Sequence, residues 1–180
     1  LEIEIIFNTN ATLINQAIAK ELVELKVDCI SISLDAVDPM VYKAIRKGAE
    51  IERVFESIAW LNQAKKKKQS LKPYLNMQFT LMRENFNQLF RIVDLAKKLG
   101  INHLVIEPLS PVFCFDRQYR EFFEQQYLKA ESDLIEELKR LKTQSEQKGI
   151  IFSSHYLEGG RKPEKCIQPW INFGLRTNGQ

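Results

Sequence analysis

The chain has 180 residues, 44% hydrophobic and 27% charged, which suits one domain-sized core of an ordinary globular protein and demands neither disorder nor a membrane. Its formal charge of +3 comes from 26 basic and 23 acidic residues, and the one dense basic run, Lys65 to Lys68, has no interleaved aromatics. That run reads as a solvated helix end and not as a nucleic-acid patch.

Three cysteines, Cys29, Cys114 and Cys166, are odd in number and widely spaced. This argues against a disulfide framework, a zinc knuckle or a redox dithiol, and fits a reducing, cytoplasmic setting. The first residue is Leu1, and the last residues run into an Asn-Gly turn with no returning strand, so both ends read as cut.

In chain order, residues 3–7 are a short β run and 12–26 an amphipathic helix with Leu13, Ile14, Ile18, Leu22, Val23 and Leu25 near one stripe. The stretch "VDCISISLD" is a second strand. Asp38 before Pro39 starts a short helix, since the carboxylate can cap free N–H groups and proline tolerates the first helical position, and Gly48 closes it. A helix over about 50–68 leads to a third strand, "LNMQFTLM".

Asn85 with Gln88 three residues on reads as an approximate capping box for the next helix, which Gly100 ends before the strand "HLVIEPL". An irregular stretch containing Pro108, Pro111, Cys114 and Asp116 precedes one long charged helix, about 118–147, and a fifth strand in "GIIFSSHY". Strands alternating with amphipathic helices imply a parallel sheet, hence an α/β fold built as an open or closed barrel segment.

In such folds the loops at the carboxyl ends of the strands make the site. They hold Asn8 to Asn10, Ser33 to Asp35, Thr80 to Arg83 and Glu107 to Ser110, a set of amides, hydroxyls, carboxylates and guanidiniums with no histidine cluster and no glycine-rich phosphate loop. This is the equipment of a ligand cradle. Ser33 and Asp35 share one side of a strand, and Arg46, at the end of a helix about 12 Å long, can fold back toward them. Hydroxyl plus guanidinium suits a carboxylate. Equally, Ser33 can bond nearby backbone, Asp35 can cap a turn, and Arg46 can sit in solvent at the helix's negative end. His103 precedes a strand and His155 follows one, with no partner at ligand spacing, and both read as structural.

Taken in order, "FNTNATLI", "SISLDAVDPMVYKAIRKGAEIERVFESI", "PYLNMQFTLMREN", "LVIEPLSP" and "CIQPWINFGLRTNGQ" resemble the radical S-adenosylmethionine (SAM) enzymes, in particular the subgroup with a C-terminal SPASM-type domain. The resemblance implies a partial (β/α)6 TIM-like barrel with parallel strands over 1–156 and the start of a SPASM-like extension over 157–180. It implies an oxidoreductase or maturase in which a 4Fe–4S cluster cleaves S-adenosyl-L-methionine to a 5′-deoxyadenosyl radical that takes hydrogen from a peptide, protein or other substrate.

By the same resemblance, Ser33 and Arg46 contact the carboxylate and ribose side of SAM, and Asn10 lies beside the ligand in "NTNA", where the family often has Thr-Asn-Gly. Ile106 to Leu109 meet adenine through backbone. Asp35, Gln78, Thr80 and Glu107 point into the barrel toward substrate or ribose, or are satisfied interior polar groups. Cys166 is the first ligand of an auxiliary cluster. An electron donor such as a flavodoxin or ferredoxin is implied, and neither nucleic acid nor membrane is expected as a partner.

The Cys-x3-Cys-x2-Cys loop of the catalytic cluster is absent, so its ligands lie outside this chain, and the chain alone is expected to be inactive. Two other readings fit the residues: a non-catalytic α/β binding module, and a metal-free (β/α) barrel enzyme with Asp35 or Glu107 as general base.

Overall fold

The computed structural model describes residues 3–110 and 117–157. Cys114, Cys166 and all of the expected auxiliary segment except Leu157 lie outside the described residues.

Five parallel strands, β1 (Ile6–Thr9), β2 (Cys29–Ser33), β3 (Tyr74–Leu81), β4 (His103–Pro108) and β5 (Ile151–Ser154), lie side by side in chain order. Between them run α1 (Gln16–Glu24), α2 (Pro39–Ile45), α3 (Ile51–Lys68), α4 (Leu89–Lys98), α5 (Arg117–Gln126) and α6 (Ser132–Gln147). Because parallel crossovers are right-handed and the strand order never reverses, the helices share one face of the sheet, as in a wall of a barrel. The α/β architecture with parallel strands is the one expected.

The two faces differ in chemistry. On β3, Leu75, Met77, Phe79 and Leu81 are fully buried, whereas Asn76, Gln78 and Thr80 between them are only half-buried. The first set packs with Ile30, Ile32, Leu104 and Ile106 against the helix stripes Ile51, Val54, Ile58 and Leu61 of α3, Leu89, Ile92, Val93 and Ala96 of α4, and Leu134, Leu138 and Leu141 of α6. These stripes recur at three- and four-residue intervals, and each fully buried aliphatic side chain contributes about 1.5–3 kcal/mol. The other face is polar. Register sets Ser33 beside Gln78, Asn76 beside His103, and Thr80 beside Glu107.

Three local expectations are corrected. The first helix begins at Gln16, not near 12, because Asn15 caps it by accepting from the Ile18 N–H, and Leu13 is left 82% exposed. The single helix expected over 118–147 is two. Its break at 127–131 is fixed by tertiary bonds: the Gln126 carbonyl accepts from the Arg83 N–H, the Gln126 side chain from the Glu84 N–H, and the Leu128 carbonyl from the Tyr156 hydroxyl.

The capping box at Asn85 does not form. Asn85 makes no side-chain cap bond, and a 3-10 turn, Phe86–Gln88, precedes α4. Both amides are committed across the sheet instead, as described next.

Candidate functional site

Strand β2 ends at Ser33 and leads into a turn, 34–38, in which Leu34, Asp35 and Ala36 are buried and Val37 and Asp38 half-buried. Asp38 then caps α2, its Oδ1 accepting from the Met40 and Val41 N–H groups, and Pro39 occupies the first turn as the sequence suggests. Arg46 is the residue on which α2 stops.

Arg46 neither lies in solvent nor points at an open ligand space with its whole fork. Its Nε donates to Asp35 Oδ2 at 2.6 Å and its Nη2 lies 2.5 Å from the same oxygen, with Asp35 only 3% and Arg46 30% exposed. Asp35 Oδ1 accepts from the Thr80 N–H at 2.8 Å. A buried carboxylate requires such partners, and here both oxygens have them. Asp35 is therefore a satisfied polar group that orients Arg46, one of the two roles its position allows. The Nη1 of Arg46 has no partner among the described residues.

Ser33 and Gln78 sit side by side in register on the polar face, and among the described residues neither side chain has a hydrogen-bond partner. On α2, Tyr42 is fully buried and its hydroxyl is unpartnered among the described residues. Burial pushes that phenol up against the opposing pull of Arg46, with the Asp35 charge adding a smaller push.

Asn10 is exposed and folds on itself, its Oδ1 accepting from the Thr12 N–H at 3.2 Å and the Thr12 hydroxyl at 2.9 Å. Ala11 follows with φ 60°, in the left-handed region where glycine is the comfortable residue. Thus an alanine here takes the left-handed bend that a glycine would adopt without strain. Ser57 of α3 holds this loop, its hydroxyl 2.7 Å from the Ala11 carbonyl and 2.8 Å from that of Ile14. Between this loop and the start of α3 opens a cleft of about 330 Å³, bordered by Asn10, Thr12, Lys47, Gly48 and Arg53.

At the far side, Glu107 and His155 meet. His155 Nδ1 lies 2.6 Å from Glu107 Oε2, with His155 60% and Glu107 30% exposed. His103, lower on the same face, lies 2.8 Å through Nε2 from the Ser153 hydroxyl, and burial holds its imidazole below the usual range. Sequence spacing concealed both partners because they sit on the neighbouring strand. Leu109 and Ser110 follow β4 at the same edge, Leu109 half-buried and Ser110 exposed.

The edge thus gathers Ser33, Gln78, Asp35, Arg46 and the Glu107–His155 pair along the ends of β2 to β5, with Asn10 flanking β1. Two further residues were missed by spacing, Asn85 and Gln88. Asn85 donates from Nδ2 to the carbonyls of Asp35 and Thr80, at 2.8 and 2.9 Å, and Gln88 Oε1 accepts from the Val37 and Asp38 N–H groups, at 2.7 and 3.0 Å. Among the described residues no group of three His, Cys, Asp or Glu side chains could hold a metal ion. Cys29 lies on β2 beside Ser31, and burial pushes its thiol up, away from the thiolate a metal needs. The described residues suit an organic ligand bearing a carboxylate and hydroxyls; they do not suit an iron–sulfur cluster.

A family model described as the Radical SAM superfamily matches residues 1–72. A probable GTP 3′,8-cyclase of Sulfurisphaera tokodaii is 29% identical over 137 residues, or 74% of this chain and 42% of its own length. The chain therefore spans less than half of that curated relative. Among solved structures, Streptococcus suis SuiB bound to S-adenosylmethionine shares the fold at a TM-score of 0.61 and 15% identity, over 96% of this chain and 38% of SuiB. Native anSMEcpe with bound AdoMet and Cp18Cys peptide does so at 0.60 and 20%, over 88% of this chain and 42% of that one.

Proposed function

We propose that this chain supplies the SAM-holding wall of a radical SAM enzyme, a reading supported by the match of residues 1–72 to the Radical SAM superfamily model. The observation that carries the reading is the set of unsatisfied donors beside an oriented guanidinium. Ser33 and the Nη1 of Arg46 are without partners among the described residues, and Asp35 fixes the guanidinium's plane. In this reading Ser33 and Arg46 hold the carboxylate and ribose side of SAM. Asn10 and the cleft beside it flank the ligand, and the backbone from Ile106 to Leu109 borders adenine. Gln78 and Glu107, on the polar face, are left for ribose or substrate.

The family's 4Fe–4S cluster draws its ligands from outside the described residues, so no step through it is assigned to these side chains. Cys166 remains a proposed ligand of an auxiliary cluster, in a segment 157–180 read as the start of a SPASM-like domain. A flavodoxin- or ferredoxin-like donor and a cytoplasmic setting complete the reading. No helix among the described residues is long and apolar enough to cross a membrane.

For substrate, a peptide, a protein or another bulky molecule fits an open polar face, and peptide-bound neighbours of the same fold support it. The similarity to probable GTP 3′,8-cyclases favours a second class, a purine nucleotide. The test is SAM affinity, measured by calorimetry on the full-length protein with its cluster reconstituted anaerobically. Arg46→Ala is expected to weaken binding about tenfold, the effect of ~1.4 kcal/mol, while melting temperature tracks the stability lost at Asp35. Unchanged affinity in Arg46→Ala would remove the assignment.

A further inference from the structure

The turn from Asp35 to Asp38 touches no ligand in the reading above, yet two buried amides from a distant segment are spent on it. Gln88 is 3% exposed and Asn85 0% exposed. One oxygen of Gln88 answers two successive N–H groups, those of Val37 and Asp38, 51 and 50 residues earlier in the chain. Asn85 spends both N–H donors and its oxygen on backbone: Nδ2 donates to the Asp35 and Thr80 carbonyls, and Oδ1 accepts from the Met82 N–H at 2.8 Å. Buried polar groups are costly unless satisfied, and the turn answers the Gln88 oxygen and one Asn85 N–H.

Two rigid paths run from this brace to the guanidinium. Gln88 fixes Asp38, which caps α2, a helix of seven residues whose C-cap is Arg46. Asn85 fixes the main chain of Asp35, whose carboxylate grips the same guanidinium. Both ends of α2 are thus pinned to the start of α4, by Gln88 at its first turn and by Asn85, through Asp35, at its last residue. A short helix of about 10 Å pinned at both ends carries any shift of the turn to Arg46, and misplacement by ~1 Å can cost up to 10²-fold in a positioned interaction.

We infer that Asn85 and Gln88 are positioning residues, which set where Arg46 stands for an anionic, carboxylate-bearing ligand; this rests on the SAM-binding reading above. Neither amide meets the ligand. Their effect is transmitted through the turn.

The experiment replaces Gln88 with leucine in the full-length, cluster-reconstituted protein and measures SAM affinity, melting temperature and hydrogen exchange at the Val37 and Asp38 amides. The expected result is an affinity loss of about tenfold or more with faster exchange at both amides, and recovery of both by Gln88→Glu, which keeps an acceptor oxygen. Asn102→Ala, at the opposite edge of the sheet, controls for stability alone; it should lower the melting temperature without changing affinity. If Gln88→Leu does not fold, Gln88→Met is judged by the same criterion. Native protein that fails to bind SAM sinks the functional reading and the positioning role with it. Native binding matched within twofold by Gln88→Leu, or no recovery of affinity in Gln88→Glu, overturns the positioning role alone.

Discussion

The two ends of one sheet are tied off by different polar chemistry. At the amino end, Asp28 accepts from the Ile5 N–H at 2.8 Å and pairs with Lys72, Asn102 Oδ1 accepts from the Leu75 N–H at 2.9 Å, and Asn62 Nδ2 donates to the Leu99 carbonyl at 2.7 Å. All of these side chains are half-buried or exposed. At the carboxyl end, Asp35, Asn85 and Gln88 are buried and interlocked. A strand end needs only its last N–H and carbonyl groups answered, and half-exposed side chains do that at little desolvation cost. The buried network at the other end exceeds this need. Polar burial beyond what the sheet requires marks the edge where geometry, and not only stability, is being held.

The largest expected effect separates the edges directly. Asp35→Ala strips a partly buried guanidinium of its partner and leaves the Thr80 N–H unanswered; since Arg46 is 30% exposed, the loss is placed at the lower end of the buried-pair range, about 3 kcal/mol. Asn102→Ala removes a single acceptor at the amino edge and should cost about 1 kcal/mol. Urea unfolding of the two variants measures both, and equal losses would erase the distinction between the edges.

A smaller effect sharpens the amino end. Gly100 closes α4 with φ 69°, and a Cβ there would stand 3.1 Å from Asn62 Nδ2. Gly100→Ala should cost about 1–2 kcal/mol from the left-handed backbone, plus whatever the Asn62 bond to Leu99 loses. A variant as stable as the native chain would show that this junction has slack.

The smallest is a pH effect on the polar face between the edges. Burial holds His103 below the ordinary 6.5, so as pH falls the unfolded chain takes up its proton first. Stability is full above about 6.5 and declines as pH drops from there toward the lowered folded value. Urea midpoints at pH values on either side of that window should differ more in the native chain than in His103→Gln. Parallel pH profiles would place the titration elsewhere.

Much of the frame was legible because it is local. Asp38-Pro39 starts α2, Gly100 ends α4, and the alternation in "YLNMQFTL" separates a buried face from a polar one, all from neighbours in sequence. The residues Ser33, Asp35 and Glu107 could be picked out at strand ends, whereas Gln78 entered only through the family resemblance. What they touch could not. Asn85 and Gln88 stand at the spacing of a capping box, and nothing within four residues reveals that their partners are the turn at 35–38. His155 looked isolated until β5 came to rest beside β4, next to Glu107.

By itself, then, the sequence determined an α/β chain of parallel strands, the polar edge where a ligand could be met, and the residues offered there, since periodicity, capping and glycine conformations act over a few residues. Only the tertiary structure decided that Asp35 holds Arg46, that Asn85 and Gln88 brace the turn beneath it, and that the helix after β4 breaks at 127–131. Hydrogen bonds between distant segments depend on strand register and on how each helix lies over the sheet, and those are set by packing the whole core at once.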